Sequence, residues 1–225
     1  EDCTAKVVNP NFANQKEGWK ESQDANGAAK IDETWTNADG TKGSNYYDYY
    51  NGSANNQRVS QTISGLVAGR YIVTVKARAQ QGFWMYLRIN DNDKNATDIN
   101  EIGNTGGVFD RGWNDYTAEF TVGADGKVKI EVANMPSSNQ AGWFGFGDVR
   151  LVRLGNLDVT LDEAKDNTIE AMDANVTLKR SFVENKWNTL VLPFAVSAED
   201  VKAKFGNDAK VVEYSNAADV NINFT

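Results

Sequence analysis

Apolar and polar residues alternate along several stretches of the first two thirds of the chain, and short turn-rich segments separate these stretches. The clearest of them are residues 59–63, 71–78, 83–90, 116–122, 128–132 and 143–154. A period of two residues is typical of a strand that buries one face and exposes the other. Many such strands in succession predict an antiparallel β-sandwich, with a further strand expected over residues 6–8 before an Asn-Pro turn.

The pattern changes near Gly155, after which strands are predicted over residues 176–180, 189–193 and 211–214. Ser197 and Asp200 have the spacing of a capping box, and Gly206 suits the end of the short helix that would follow. We therefore predict an all-β protein of two domains. A sandwich occupies residues 1–155, and a small, mostly β domain with one short helix occupies residues 156–225.

Composition excludes several classes of function. The chain has 225 residues, no histidine and one cysteine, Cys3, which rules out Ser-His-Asp and Cys-His nucleophiles and a histidine or thiolate zinc site. Its 23 basic and 31 acidic residues leave a net charge of −8, which argues against a nucleic-acid partner. No apolar run approaches the roughly 20 residues of a membrane span.

The first candidate ligand site is the outward face of the strand predicted over residues 83–90. The core-facing set of this strand is expected to be Phe83, Met85, Leu87 and Ile89. Trp84, Tyr86 and Arg88 would then share the opposite face. Flat aromatic rings stack on the C–H faces of sugars, and arginine donates paired hydrogen bonds to hydroxyl groups. The alternative is that another part of the chain covers this face.

A second aromatic cluster precedes these strands. Its members are Trp35, Tyr46, Tyr47, Tyr49 and Tyr50. Alternation puts Tyr46 and Tyr50 on one side of a strand and Tyr47 and Tyr49 on the other, so at least one pair is expected in the core. Trp35, Tyr47 and Tyr49 are the ligand candidates here, and Trp143, at the start of the last sandwich strand, is expected to rim the same site. Trp19 and Trp113 are assigned to the core.

Three motifs resemble a known family. They are Asn9-Pro10-Asn11-Phe12 with Gly18-Trp19, the run QTISGLVAGRY over residues 61–71, and the run GFGDVRL over residues 145–151. Together they are similar to the galactose-binding-like jelly roll of bacterial carbohydrate-binding modules, over residues 5–154. The run WNTLVLPF over residues 187–194 resembles a small domain of exported gut Bacteroidetes proteins. That domain usually runs longer, so this chain is expected to end inside it.

The resemblance implies a jelly-roll sandwich, an oligo- or polysaccharide partner and export to the periplasm, the medium or the cell surface, with the signal peptide removed before Glu1. It also implies neighbouring domains in a larger surface protein. Relatives often hold one structural calcium between the N-terminal segment and the last strand, where Asp148 and Asn11 match. Calcium prefers six or more oxygen ligands. The alternative is that Asp148 caps or bonds backbone.

Three functions remain open from the sequence. The first is non-catalytic glycan binding through an aromatic sheet face, with no enzymatic activity. The second is adhesion or scaffolding, in which the same face binds protein. The third is glycoside hydrolysis, since a carboxylate pair can arise anywhere in an acidic chain.

Overall fold

The computed structural model describes most of the residues of the chain. They are residues 1–22, 27–36, 42–51, 58–79, 85–92, 97–98, 113–134, 142–170, 172–184, 186–212, 214–218 and 221–224.

Two antiparallel five-stranded sheets form a sandwich over residues 1–155. In the first sheet the order is β2 (Ala28–Thr36), β3 (Lys42–Asn51), β10 (Gly142–Gly155), β5 (Gly69–Ala79) and β8 (Asn114–Val122). In the second it is β1 (Lys20–Glu21), β4 (Arg58–Ile63), β9 (Val128–Asn134), β6 (Met85–Ile89) and β7 (Thr97–Asp98). The predicted all-β antiparallel sandwich is confirmed.

The alternation along each strand decides what the sandwich buries. In β5 the core face consists of Tyr71, Val73, Val75, Ala77 and Ala79. An aromatic group fills one end of the core: the Phe146 ring lies 5.1 Å from Phe12, 5.4 Å from Trp19 and 5.6 Å from Tyr47, between centroids. Burial of such rings is the main favourable contribution to the stability of a sandwich.

A β-bulge interrupts β10 between Gly147 and Arg150. Asp148 adopts a left-handed conformation there, with φ of 46°. The N–H of Val149, which follows, donates to the carbonyl of Pro10 at 3.0 Å. The bulge therefore ties the last strand of the sandwich to the N-terminal turn, and it places Val149 in the core.

Past the sandwich, β11 (Leu157–Asp162) and β12 (Ala174–Lys179) pair in parallel. The chain forms two compact units, Glu1–Lys179 and Arg180–Thr225, so β11 and β12 belong with the sandwich in this division. The boundary predicted at residue 155 matches the end of β10 but not this division, and the extent of the second domain stays a prediction.

The second unit contains helix α1 (Ala198–Phe205) and the antiparallel pair β13 (Tyr214–Ala218) and β14 (Asn221–Phe224). The capping box is confirmed, because the Ser197 hydroxyl accepts the N–H of Asp200 at 3.1 Å. Gly206 ends the helix with a φ of 94°, a value that favours glycine. The predicted small, mostly β region with one short helix is confirmed as a description of secondary structure.

Two predicted strands are wrong. Residues 6–8 form no strand, and a short 3-10 helix, Thr4–Lys6, ends at the first of them. Residues 189–193 also form no strand. Of the strand predicted over residues 211–214, residues 211–212 form none, and Tyr214 begins β13. Apolar runs without a paired neighbour are ambiguous, because a strand exists only when another strand satisfies its backbone groups.

Candidate ligand-binding face

On the outer surface of the first sheet, several aromatic side chains pack over two glycines of β10. Gly145 and Gly147 alternate with core phenylalanines, so they face outward. A Cβ atom at Gly145 would lie 2.8 Å from the Trp113 ring and 3.1 Å from the Trp143 ring. The missing side chain therefore lets both indoles lie directly against the sheet.

These rings meet edge to face. The Trp113 and Trp143 centroids lie 6.0 Å apart with the planes at 90°, and Tyr46 lies 5.0 Å from Trp113 at 63°. We call this surface the tryptophan face and define it by Tyr46, Asp48, Tyr50, Trp113 and Trp143. Trp113 is buried, Tyr46 and Trp143 are half-buried, and Tyr50 is 68% exposed beside its cross-strand partner Trp143. The face thus offers solvent-accessible ring surface on a rigid base.

One carboxylate organises the centre of this face. The Trp143 indole N–H donates to an oxygen of Asp48, and the other oxygen lies 3.5 Å from the Lys30 ammonium. Asp48 lies directly beside Gly145 in the neighbouring strand. Since a carboxylate accepts as many as about four hydrogen bonds, Asp48 both orients the indole and retains acceptor capacity.

A second group of charges lies next to Gly147. Lys76 lies 2.6 Å from one oxygen of Asp115, and Arg150 lies 3.0 Å from the other. Burial raises the pKa of Asp115, but the hydrogen bonds from Lys76 and Arg150 lower it more, so the pKa lies below its usual value. The carboxylate is therefore ionised at neutral pH and holds two cations in place.

These ion pairs make one part of the stability sensitive to acid. A carboxyl whose folded-state pKa is lowered stabilises the fold above its unfolded pKa of about 4, and this contribution is lost as the pH falls through the lower folded-state pKa. We expect Asp115→Asn to destabilise the protein at pH 7 by less than about 1 kcal/mol, because the carboxylate is 44% exposed. In urea unfolding, the difference from the wild type should become smaller as the pH falls below about 4. A difference that stays constant over that range would contradict the assignment.

The face predicted from the sequence differs from this one. Arg88 was expected to be exposed, but its side chain is 3% exposed and lies 2.5 Å from Glu131, itself 2% exposed. Lys129 lies 3.0 Å from the other Glu131 oxygen and 2.6 Å from Asp91. The prediction that Arg88 is a surface ligand residue is therefore wrong, because Arg88 is buried and forms an ion pair with its cross-strand neighbour in β9. Tyr86, on the same strand, is half-buried and stays a prediction.

The other aromatic residues that the sequence predicts as ligand contacts have different outcomes. Tyr47 and Tyr49 are corrected from ligand residues to core residues, since they are 0% and 1% exposed. The expectation that one of the two tyrosine pairs lies in the core is confirmed. Trp35 lies in β2 opposite Gly43, so it belongs to the sheet that carries the tryptophan face. Trp84 lies outside the described residues.

The sequence predicts Trp143 as a ligand candidate but not the residues around it. It predicts Tyr46 only as half of a tyrosine pair, gives no signal for Asp48, and places Trp113 in the core. Trp113 is indeed buried, yet it packs on the outer surface of the sheet. The signal was the alternation of glycine with phenylalanine over residues 144–147, because glycine on the outward face of a central strand indicates that something lies close to the backbone.

The calcium site stays a prediction. The bond from Val149 to Pro10 brings the predicted segments together. However, the Asn11 side-chain oxygen accepts the N–H of Ala13 at 3.3 Å, and Asp148 lies 3.7 Å from Arg150. Among the described residues, no group of three or more cysteine, aspartate or glutamate side chains is placed to hold a metal ion. Most ligands would therefore have to be backbone carbonyls.

The comparison with known proteins finds similar solved structures but no matching family. No protein-family model and no curated protein matches the chain. The carbohydrate-binding module TmCBM61, solved with beta-1,4-galactotriose, is 17% identical with a TM-score of 0.45, over 66% of this chain and 97% of that one. A family 35 carbohydrate-binding module from Clostridium thermocellum is 19% identical with a TM-score of 0.37, over 62% and 95% of the two chains.

Enzymes are also among the similar structures. A cyclase from Fischerella sp. TAU is 14% identical with a TM-score of 0.47, over 66% of this chain and 96% of that one. Likeness at this level does not carry function from one protein to another, because one fold serves many functions. Within the described part of the chain, no helix is long and apolar enough to cross a membrane.

Proposed function

We propose that this protein binds carbohydrate without chemical turnover, through the tryptophan face. The observation that carries the proposal is the group of half-exposed Trp143, half-exposed Tyr46 and exposed Tyr50 around the carboxylate of Asp48. Aromatic rings stack on the apolar faces of sugars, and a fixed carboxylate accepts hydrogen bonds from hydroxyl groups. A surface with both chemistries suits a sugar better than a purely apolar or purely charged partner.

The rigidity of the face also favours binding. Trp143 is held by its bond to Asp48 and by Trp113, and all three belong to or border strands of one sheet. Groups that are already ordered lose little conformational entropy when a ligand binds. Each stacked ring contributes of the order of 1 kcal/mol, so we expect affinities in the micromolar to millimolar range.

The setting of this activity is also part of the proposal. The motif resemblance supports an exported protein at the cell surface, in which the face tethers a larger molecule to a polysaccharide. A structural calcium beside Asp148 and Asn11 belongs to the same expectation. Adhesion to protein through this face is the second candidate, supported by the exposed aromatic side chain of Tyr50.

Replacement of Trp143 tests the proposal. We expect Trp143→Ala to weaken retention on the glycan identified by an array about tenfold or more, which corresponds to about 1.4 kcal/mol. The matched control is Tyr86→Ala, because Tyr86 is also a half-buried aromatic residue on a sandwich strand but belongs to the other sheet. Melting temperatures of both variants would establish that each is folded.

Each outcome has a definite meaning. Loss of binding only in Trp143→Ala supports the tryptophan face. Loss only in Tyr86→Ala would move the site to the strand predicted from the sequence. Release of reducing sugar by the wild type would show hydrolysis, and an array without any binder would contradict the proposal.

A further inference from the structure

We infer that the tryptophan face selects neutral sugars over sugars that carry carboxylates, such as uronic acids. The inference rests on the proposed function, since it names the class of ligand for the same site. It comes from a separate observation, which is how the charges around the face are already paired.

The first step concerns the cations. A site for an anionic sugar needs a lysine or arginine that is available to the incoming carboxylate. Lys30, Lys76, Arg78 and Arg150 lie on or beside the outward surface of this sheet, as their cross-strand positions show.

The second step is that these cations are engaged within the chain. Lys30 lies 3.5 Å from Asp48, whereas Lys76 and Arg150 share Asp115 at 2.6 and 3.0 Å. Arg78 also has an interaction within the chain. A sugar carboxylate would therefore have to displace a carboxylate of the protein before it gained an ion pair.

The third step concerns repulsion. Asp48 lies at the centre of the face, with its side chain 22% exposed, beside the indole on which a sugar would stack. Two carboxylates a few ångströms apart repel each other, and partial burial strengthens the effect. The net charge of −8 adds a long-range repulsion of polyanionic glycans. For a neutral sugar, the same Asp48 oxygens are hydrogen-bond acceptors.

The experiment compares matched ligands. Neutral hexose oligosaccharides that bind the wild type would be paired with the same oligosaccharides oxidised to the carboxylate at C6. We expect the oxidised form to bind at least tenfold more weakly at low salt. This difference should narrow at about 1 M salt, where the screening length falls to about 3 Å.

The variant Asp115→Asn tests the cause. It removes the carboxylate that holds Lys76 and Arg150, so we expect binding of the oxidised oligosaccharide to improve several-fold at low salt. Asp125→Asn is the control, because Asp125 is an exposed carboxylate in the turn between β8 and β9, so its loss changes the net charge equally and should not improve binding of the oxidised form.

The outcomes separate the two proposals. Equal or tighter binding of the oxidised ligand by the wild type would overturn the inference and leave glycan binding intact. An Asp115→Asn variant that gains no affinity for the oxidised ligand would overturn the charge-pairing argument. Failure of every oligosaccharide to bind would overturn the proposed function, and the inference with it.

Discussion

Replacing Arg88 by Met should lower the free energy of unfolding by about 3–5 kcal/mol. Arg88 and Glu131 lie 2.5 Å apart, and both side chains are almost completely buried. Removal of the guanidinium leaves the Glu131 carboxylate buried, with the Lys129 ammonium 3.0 Å from its other oxygen. That partner puts the expected loss near the lower end of the range. Chemical denaturation followed by far-ultraviolet circular dichroism would measure it.

Two comparisons make this prediction specific. Arg150→Met removes an arginine from an exposed pair with Asp115, where both side chains are more than 40% exposed, and should cost less than about 1 kcal/mol. Adding Glu131→Gln to Arg88→Met should recover part of the loss, because it removes the uncompensated charge. Equal losses in the Arg88 and Arg150 variants would show that burial does not strengthen the first pair.

The second large effect is expected at Tyr47. Its ring lies 5.7 Å from Phe12, 5.8 Å from Phe144 and 5.6 Å from Phe146, and its hydroxyl donates to Glu21 at 2.5 Å. Tyr47→Ala should cost about 3–5 kcal/mol, because it opens a cavity in the core and removes the Glu21 hydrogen bond. Burial raises the pKa of the Tyr47 hydroxyl, and the bond to Glu21 adds to that shift, so the phenol stays protonated.

The adjacent residue is the control. Tyr46 lies on the opposite side of β3 and is half-buried, so Tyr46→Ala should cost clearly less in thermal unfolding. The loss of stability in Tyr47→Phe should fall between those of Tyr46→Ala and Tyr47→Ala, because this variant retains the ring and loses only the hydroxyl hydrogen bond. Similar losses for Tyr46→Ala and Tyr47→Ala would contradict the assignment of the two faces of β3.

The fold was predictable because burial follows the strand period. Residues 71–78 alternate in the sequence, and the residues of one set are buried in β5. Residues 189–193 also have strand-forming composition, yet they form no strand. Alternation describes one strand at a time, and it does not say whether another strand lies within hydrogen-bonding distance.

The candidate site was less predictable than the fold, because it depends on contacts between strands that lie far apart in the sequence. Arg88 is buried because β6 pairs with β9 and places Glu131 opposite it. Likewise, Trp143 is oriented by Asp48, which lies far away in the chain. Period-2 alternation separates inward from outward side chains, but only the register between strands shows which outward side chain meets a partner.

The bulge in β10 has a consequence for how this chain tolerates changes in length. Before the bulge the even-numbered Phe144 and Phe146 face the core, and after it the odd-numbered Val149 and Leu151 do. The strand thus contains a phase slip of one residue. Deleting the extra residue of the bulge would restore a uniform period with Leu151 still facing the core, whereas inserting one more residue would turn Leu151 toward solvent. A periodicity analysis that assumes a constant phase across β10 would average its halves and underestimate the amphipathicity of both.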